Sequence, residues 1–178
     1  MKKRNGFTLI ELLAVIVILG IIMMIAIPNV ISTVEKQEKN TYVSDANKLI
    51  TVAKYTMRTN TDIPYPDPGQ VVILYFSYID NGDVETDPEG RTYDLEQSYV
   101  ALKHTDDNYI EYWVQLVGVD ASSNRGVPLT SEVELGKDMA LNLVKKNFVP
   151  TTGKAEIGNR LYGHTISASN IFEFKRTI

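Results

Sequence analysis

The sequence predicts an α+β protein in which one long N-terminal helix packs against an antiparallel β-sheet. Three patterns carry this reading. Phe7 to Ile27 is an apolar run broken by a single charge, Glu11. Val43, Ala46, Ile50, Ala53 and Met57 then recur three and four residues apart, the stripe of an amphipathic helix. From Gln70 onward the residues turn β-branched and aromatic between turn signals, as strands do.

The apolar run holds 21 residues. As a helix rising about 1.5 Å per residue it is roughly 31 Å long, the thickness of a bilayer's hydrocarbon. Lys2, Lys3 and Arg4 precede it, whereas Glu35, Lys36, Glu38 and Lys39 follow with mixed sign. The basic side stays in the cytoplasm, so the chain is expected to cross the cytoplasmic membrane once, with its remainder outside. Removing the three N-terminal cations from 18 Lys+Arg leaves 15 beyond Pro28, and removing Glu11 from 22 Asp+Glu leaves 21. That acidic balance gives no footprint for nucleic acid. With no cysteine, the exported part has no disulfide and no thiolate metal site.

A basic start before an apolar run fits a secretory signal, a plain anchor or a specialised leader. Met23-Met24-Ile25-Ala26-Ile27-Pro28 is a poor cleavage site for an ordinary signal. A plain anchor explains the length but not Glu11. A carboxylate in a spanning helix costs about 2.5–3.5 kcal/mol near its centre and less toward an end, so it calls for a partner.

Lys3-Arg4-Asn5-Gly6-Phe7-Thr8-Leu9-Ile10-Glu11-Leu12-Leu13 resembles the class III signal of type IV pilins and type II secretion pseudopilins. The resemblance implies that residues 1–6 are a leader. A membrane prepilin peptidase would cut between Gly6 and Phe7 and N-methylate Phe7. The new Phe7 amine would pair with Glu11 of an incoming subunit and set its axial register. A pairing within one subunit is the alternative, since four residues make one helical turn. Glycine at position 6 suits an extended protease groove, where a side chain would obstruct.

Residues 7–28 would then be the transmembrane and assembly helix, 29–60 its amphipathic continuation and 61–178 an α+β head, in a type IV pilin-like fold. Gly20 and Pro28 are weak points of the helix, at about 1 and 3 kcal/mol. The family's helices can lose hydrogen bonding between such residues, and a simple kink at Pro28 is the other reading. The helix is expected to end near Asn60, ahead of Pro64, Pro66, Pro68 and Gly69.

In the head, Val71 to Ile79 reads as a strand or a short helix, and Tyr99–Lys103 with Tyr109–Val117 as a hairpin. Ser131 and Glu134 have capping-box spacing and predict a second helix over 131–147. Residues 156–162 and 171–175 are candidates for late strands. The loop with Asp80, Asp83, Glu85 and Asp87 offers oxygens for calcium, and Asp87-Pro88-Glu89-Gly90 resembles a loop of major pseudopilins, some of which bind calcium there. Asn81-Gly82 and Pro88 explain the same residues as turn chemistry. His104 and His164 read as surface or loop residues, and no catalytic motif is present, so the chain is not expected to be an enzyme.

The implied function is a structural subunit that polymerises into a type IV pilus for adhesion, motility or attachment. The alternatives are a type II secretion pseudopilin, a competence pilin, or a minor pilin acting as a surface-binding module. The implied partners are identical or homologous pilin subunits, the prepilin peptidase, an inner-membrane assembly platform with its ATPases, and the lipid bilayer.

Overall fold

The structure is a computed structural model and describes residues 6–79, 84, 86–119, 124–138 and 140–176. The chain forms two compact units, Met1–Gln37 and Glu38–Ile178. Helix α1, Leu9–Thr59, contributes to both and stops one residue before the expected end.

In the first unit every large apolar side chain from Phe7 to Val34 is exposed. The helix continues through Gly20 and Pro28. Beside the proline, which lacks an N–H, polar side chains bond back to the backbone. Asn29 Nδ2 donates to the Ile25 carbonyl at 3.1 Å, and Ser32 and Thr33 donate to the Asn29 carbonyl at 3.0 and 2.8 Å. These side-chain donors thereby find partners without water, as a helix in hydrocarbon requires.

The second unit is built on a six-stranded sheet. Its strands are β1 (Val71–Tyr75), β2 (Tyr99–His104), β3 (Ile110–Val119), β4 (Asn124–Ser131), β5 (Lys145–Lys146) and β6 (Ile171–Phe174), in the order β5-β4-β3-β2-β1-β6. Neighbours are antiparallel except β1 and β6, which run parallel. One face carries Val72, Leu74, Val100, Leu102, Val114 and Leu116 against the α1 stripe. That stripe buries Tyr42, Asp45, Ala46, Leu49, Ile50, Ala53 and Met57, with Val43 half-buried at its edge. Each large apolar side chain removed from water contributes roughly 1.5–3 kcal/mol. The opposite face, with Ile73, Tyr99 and Ala101, is covered by Ile157 and Leu161 of a further helix.

Several elements differ from the sequence reading. The expected helix over 131–147 is only α3, Glu132–Leu135, followed by a 3-10 turn at Ala140–Leu143 and then β5. The cap is real, since Ser131 Oγ accepts from Glu134 N at 3.3 Å. The helix stops at Gly136, and further on Lys145 and Lys146 pair with β4 instead. Residues 156–162 are not a strand but part of α4, Lys154–Tyr162, because Ile157 and Leu161 lie one turn apart on a buried face and Gly163 closes the end with φ 73°. Val71–Ile79 divides into β1 and the four-residue α2, Phe76–Ile79. Strand β4 has no sequence signal because Pro128 interrupts it; β5 pairs only with Arg125 and Gly126, which leaves Pro128 on an open edge where its missing N–H costs nothing.

A buried polar network ties α1 to the loop before β2. Asp87 Oδ1 accepts from the Glu89 and Arg91 amides, both at 2.9 Å, while its Oδ2 accepts from Tyr42 at 3.2 Å and Arg91 Nε at 3.1 Å. Tyr93 donates to Asp45 at 2.9 Å, and Lys48 pairs with the other Asp45 oxygen at 2.9 Å. Arg125 lies between Glu38, 2.7 Å away in an ion pair without hydrogen-bond alignment, and Glu89, which also pairs with Arg91.

Gly126 is the tightest backbone approach. Its φ is 148°, and a Cβ there would sit 2.0 Å from the Leu116 carbonyl oxygen, next to the register shift between Val114 and Leu116. Gly126→Ala is expected to destabilise the protein by about 2 kcal/mol or more in denaturant unfolding. Gly153→Ala, with nothing within 4 Å, should cost less despite its own φ of 83°.

Burial pushes the Tyr42, Tyr75, Tyr93 and Tyr99 hydroxyls above the ordinary 10.0, reinforced by Asp87 at Tyr42, Glu173 at Tyr75, Asp45 at Tyr93 and Tyr75 at Tyr99. The folded state holds these protons while the unfolded chain releases them near 10.0. Stability is therefore full below that pH and falls as pH rises past it. Thermal melts from pH 8 to about 11 should show that decline.

Candidate processing and assembly site

The residues singled out at the N-terminus meet where α1 begins. Gly6, Phe7 and Thr8 precede the helix in irregular backbone. Thr8 is the N-cap and Glu11 the third helical residue. The Glu11 carboxylate accepts from Thr8 N and from Thr8 Oγ1, both at 2.8 Å, and Glu11 N donates to Thr8 Oγ1 at 3.4 Å. This is a reciprocal capping box, which satisfies amide donors that a helix start leaves free. Thr8-x-x-Glu11 has the capping-box spacing in the sequence, a signal that identifies Thr8 beside the charge in the apolar run.

Phe7 is 88% exposed and Leu9 82%. In the uncut chain the Phe7 nitrogen is a peptide amide, so the ammonium pairing implied by resemblance belongs to a processed protein. Glu11 already has a partner before any cut. A Cβ on Gly6 would have nothing within 4 Å. The fold itself therefore does not require glycine there, and a requirement for it must come from a molecule that handles this segment. Gly20 is equally open, and Pro28 lies inside the continuous helix.

The other sequence candidates lie elsewhere. Asp80, Asp83 and Glu85 fall outside the described residues. Asp87 is 3% exposed and both its oxygens are occupied by Tyr42, Arg91 and two backbone amides, so it braces the loop rather than offering a free ligand. Among the described residues no group of three His, Asp or Glu is placed to hold a metal ion. His104 and His164, far apart in sequence, line one cavity with Asp106, Asp107 and Tyr162.

Residues 1–27 match the family model described as the prokaryotic N-terminal methylation motif. The chain is 31% identical to type II secretion system core protein G of Vibrio cholerae serotype O1 over 93 residues, which is 52% of this chain and 58% of that protein. It is 30% identical to the protein of the same name from Aeromonas hydrophila over 105 residues, 53% of this chain and 73% of that one. For the Escherichia coli K12 protein the figures are 44% over 43 residues, 24% of this chain and 30% of the relative. The chain thus spans just over half the length of the Vibrio relative. No solved structure gives a significant match. A methylation motif on the residues that open α1, and a relative matched over nearly three quarters of its length, agree with the α+β architecture: the chain belongs to the type IV pilin and type II secretion pseudopilin superfamily.

Proposed function

We propose that this chain is a pseudopilin-type structural subunit. It is held in the cytoplasmic membrane with its N-terminus inside, cut after Gly6, methylated at Phe7 and polymerised through α1 into a filament of the secretion kind. The observation that carries this is the apolar surface of α1, exposed at every large side chain from Phe7 to Val34 and far larger than a water-soluble monomer tolerates. Lipid covers it before assembly and the helices of other subunits afterwards. Its partners on this reading are homologous subunits, the prepilin peptidase, the assembly platform and its ATPases. The chain itself catalyses nothing.

The relatives favour secretion over a surface pilus, because those matched are secretion core proteins. This reverses the order that the leader suggested by itself. Adhesion and twitching receive no support from them.

Mass spectrometry of the native protein tests the reading: the mature chain should start at N-methylated Phe7, and an intact Met1 start in cells that carry the peptidase would overturn it. Replacing Gly6 by Leu should leave the precursor uncut, and wild-type amounts of mature protein from that variant would refute the leader assignment.

Two further substitutions separate the roles of Glu11. Gln retains the capping box, so Glu11→Gln removes the charge alone, whereas Thr8→Val removes the cap and keeps the charge. If the carboxylate pairs with a Phe7 ammonium, Glu11→Gln should be processed normally yet lower filament yield by about tenfold or more, as expected for an ion left unpaired in an apolar setting. Thr8→Val should then assemble nearly as well as wild type. The opposite ranking would make Glu11 a cap and nothing more.

A further inference from the structure

The compact unit has two unlike ends, and their polar groups are complementary. At one end the β2–β3 loop and the end of α4 enclose a cavity of about 490 Å³, lined by Lys103, His104, Asp106, Asp107, Tyr162 and His164 among others. Most of its donors are already used. Tyr162 Oη donates to the Gln70 and His104 carbonyls at 3.1 and 3.0 Å. Lys103 Nζ donates to the Leu161 carbonyl at 2.8 Å, and Glu111 at 3.2 Å balances its charge. His104 Nδ1 lies 3.0 Å from the Thr105 carbonyl and His164 Nδ1 3.2 Å from the Thr165 carbonyl. With the proton on Nδ1, each ring leaves Nε2 as an acceptor. What remains uncommitted is a set of acceptors: two imidazole nitrogens and the exposed carboxylates of Asp106 and Asp107. Such a set suits a cation that brings its own donors.

The other end supplies one. Lys145 is exposed on β5, at the edge of the sheet. It pairs with Gly126, which in turn pairs with Val117. Val117 is seven residues along β3 from Ile110, where the β2–β3 loop ends. At about 3.3 Å per residue the lysine is roughly 23 Å from the cavity along the strand, beyond any contact within one chain. The same end carries Glu38, held by Arg125, where α1 joins the compact unit.

We propose that the cavity at the β2–β3 loop receives Lys145 of a second copy, in a head-to-tail contact between successive subunits. Two different patches on one molecule make a heterologous interface, and such an interface that does not close on itself builds an open filament. The contact rests on the subunit reading given above and adds to it a specific site outside the membrane helix.

The test uses the full chain, expressed with its assembly machinery. The natural sequence has no cysteine, so introduced thiols report one contact only. An Asp107→Cys chain mixed with a Lys145→Cys chain should give a disulfide-linked dimer in filaments, and neither chain alone should. The separation within one molecule far exceeds the 4.4–6.8 Å between Cα atoms that a disulfide spans, so the bond must join two copies. Asp107→Lys and Lys145→Asp should each lower filament yield about tenfold through like-charge contact, and their combination should recover most of it. Filaments of processed subunits that show no cross-link, with both reversals assembling normally, would overturn the contact and leave the subunit reading standing. Failure of the wild-type chain to form any filament would overturn both.

Discussion

The apolar surface of α1 between Phe7 and Val34 sets the terms for the rest of the molecule. Those side chains are all exposed, so this stretch of helix needs an apolar surrounding, while the compact unit satisfies its polar groups within its own fold. In the first unit this is done along the helix, by the Thr8–Glu11 cap at the start and by Asn29, Ser32 and Thr33 bonding back to carbonyls near Pro28. In the second it is done across the fold. Gln115, fully buried, bonds the Gln97 carbonyl and both backbone groups of Thr151, and Asp45 and Asp87 are each held by tyrosine and cationic partners. A buried polar group left without a partner costs about 1–3 kcal/mol, so these bonds are conditions for the fold as much as contributions to it.

The capping box changes how Glu11 is understood. From the sequence, the carboxylate has a reason to sit in the apolar run only once a cut has created the Phe7 ammonium. The structure gives it an earlier one, because Thr8 and Glu11 close the helix start in the uncut chain. Both residues would lie on the mature side of the proposed cut, so the cap would survive it. One oxygen of Glu11 takes both Thr8 donors, which leaves the second for a new partner. Capping is therefore compatible with the proposed pairing, since the same carboxylate orders the helix start and keeps one oxygen uncommitted.

Legibility from the sequence follows how local each cause is. The span and end of α1 were readable because composition, period 3.6 and a cluster of prolines all act within a few residues. The β2–β3 hairpin was readable for the same reason. The leader motif was legible as a linear string. What failed was decided at a distance. Ser131 caps a helix as its spacing says, but the residues after Gly136 gain more from joining β4 than from extending four residues of helix. Glu156 to Tyr162 has strand-like residues, yet Ile157 and Leu161 find the free face of the sheet only as a helix. The α1 stripe was placed correctly at Ala46, Ile50, Ala53 and Met57 but is wider than read, since it also buries Leu49, and Tyr42 and Asp45 join it through polar bonds to Asp87 and Tyr93 that a hydrophobic pattern cannot register.

The same distance effect governs the polarity of the compact unit. Arg125 joins Glu38 on α1 to Glu89 in the loop, so the helix is fixed at the Val119–Asn124 end of the sheet, and the β2–β3 loop lies at the other. Gly118 belongs to this end: a Cβ there would come 2.7 Å from the Tyr42 hydroxyl and 2.9 Å from an Asp87 oxygen, so its lack of a side chain is what lets the network close around α1. The network that joins Arg125, Glu38, Glu89, Asp87 and Tyr42 thus fixes which end of the sheet the start of the buried α1 stripe meets.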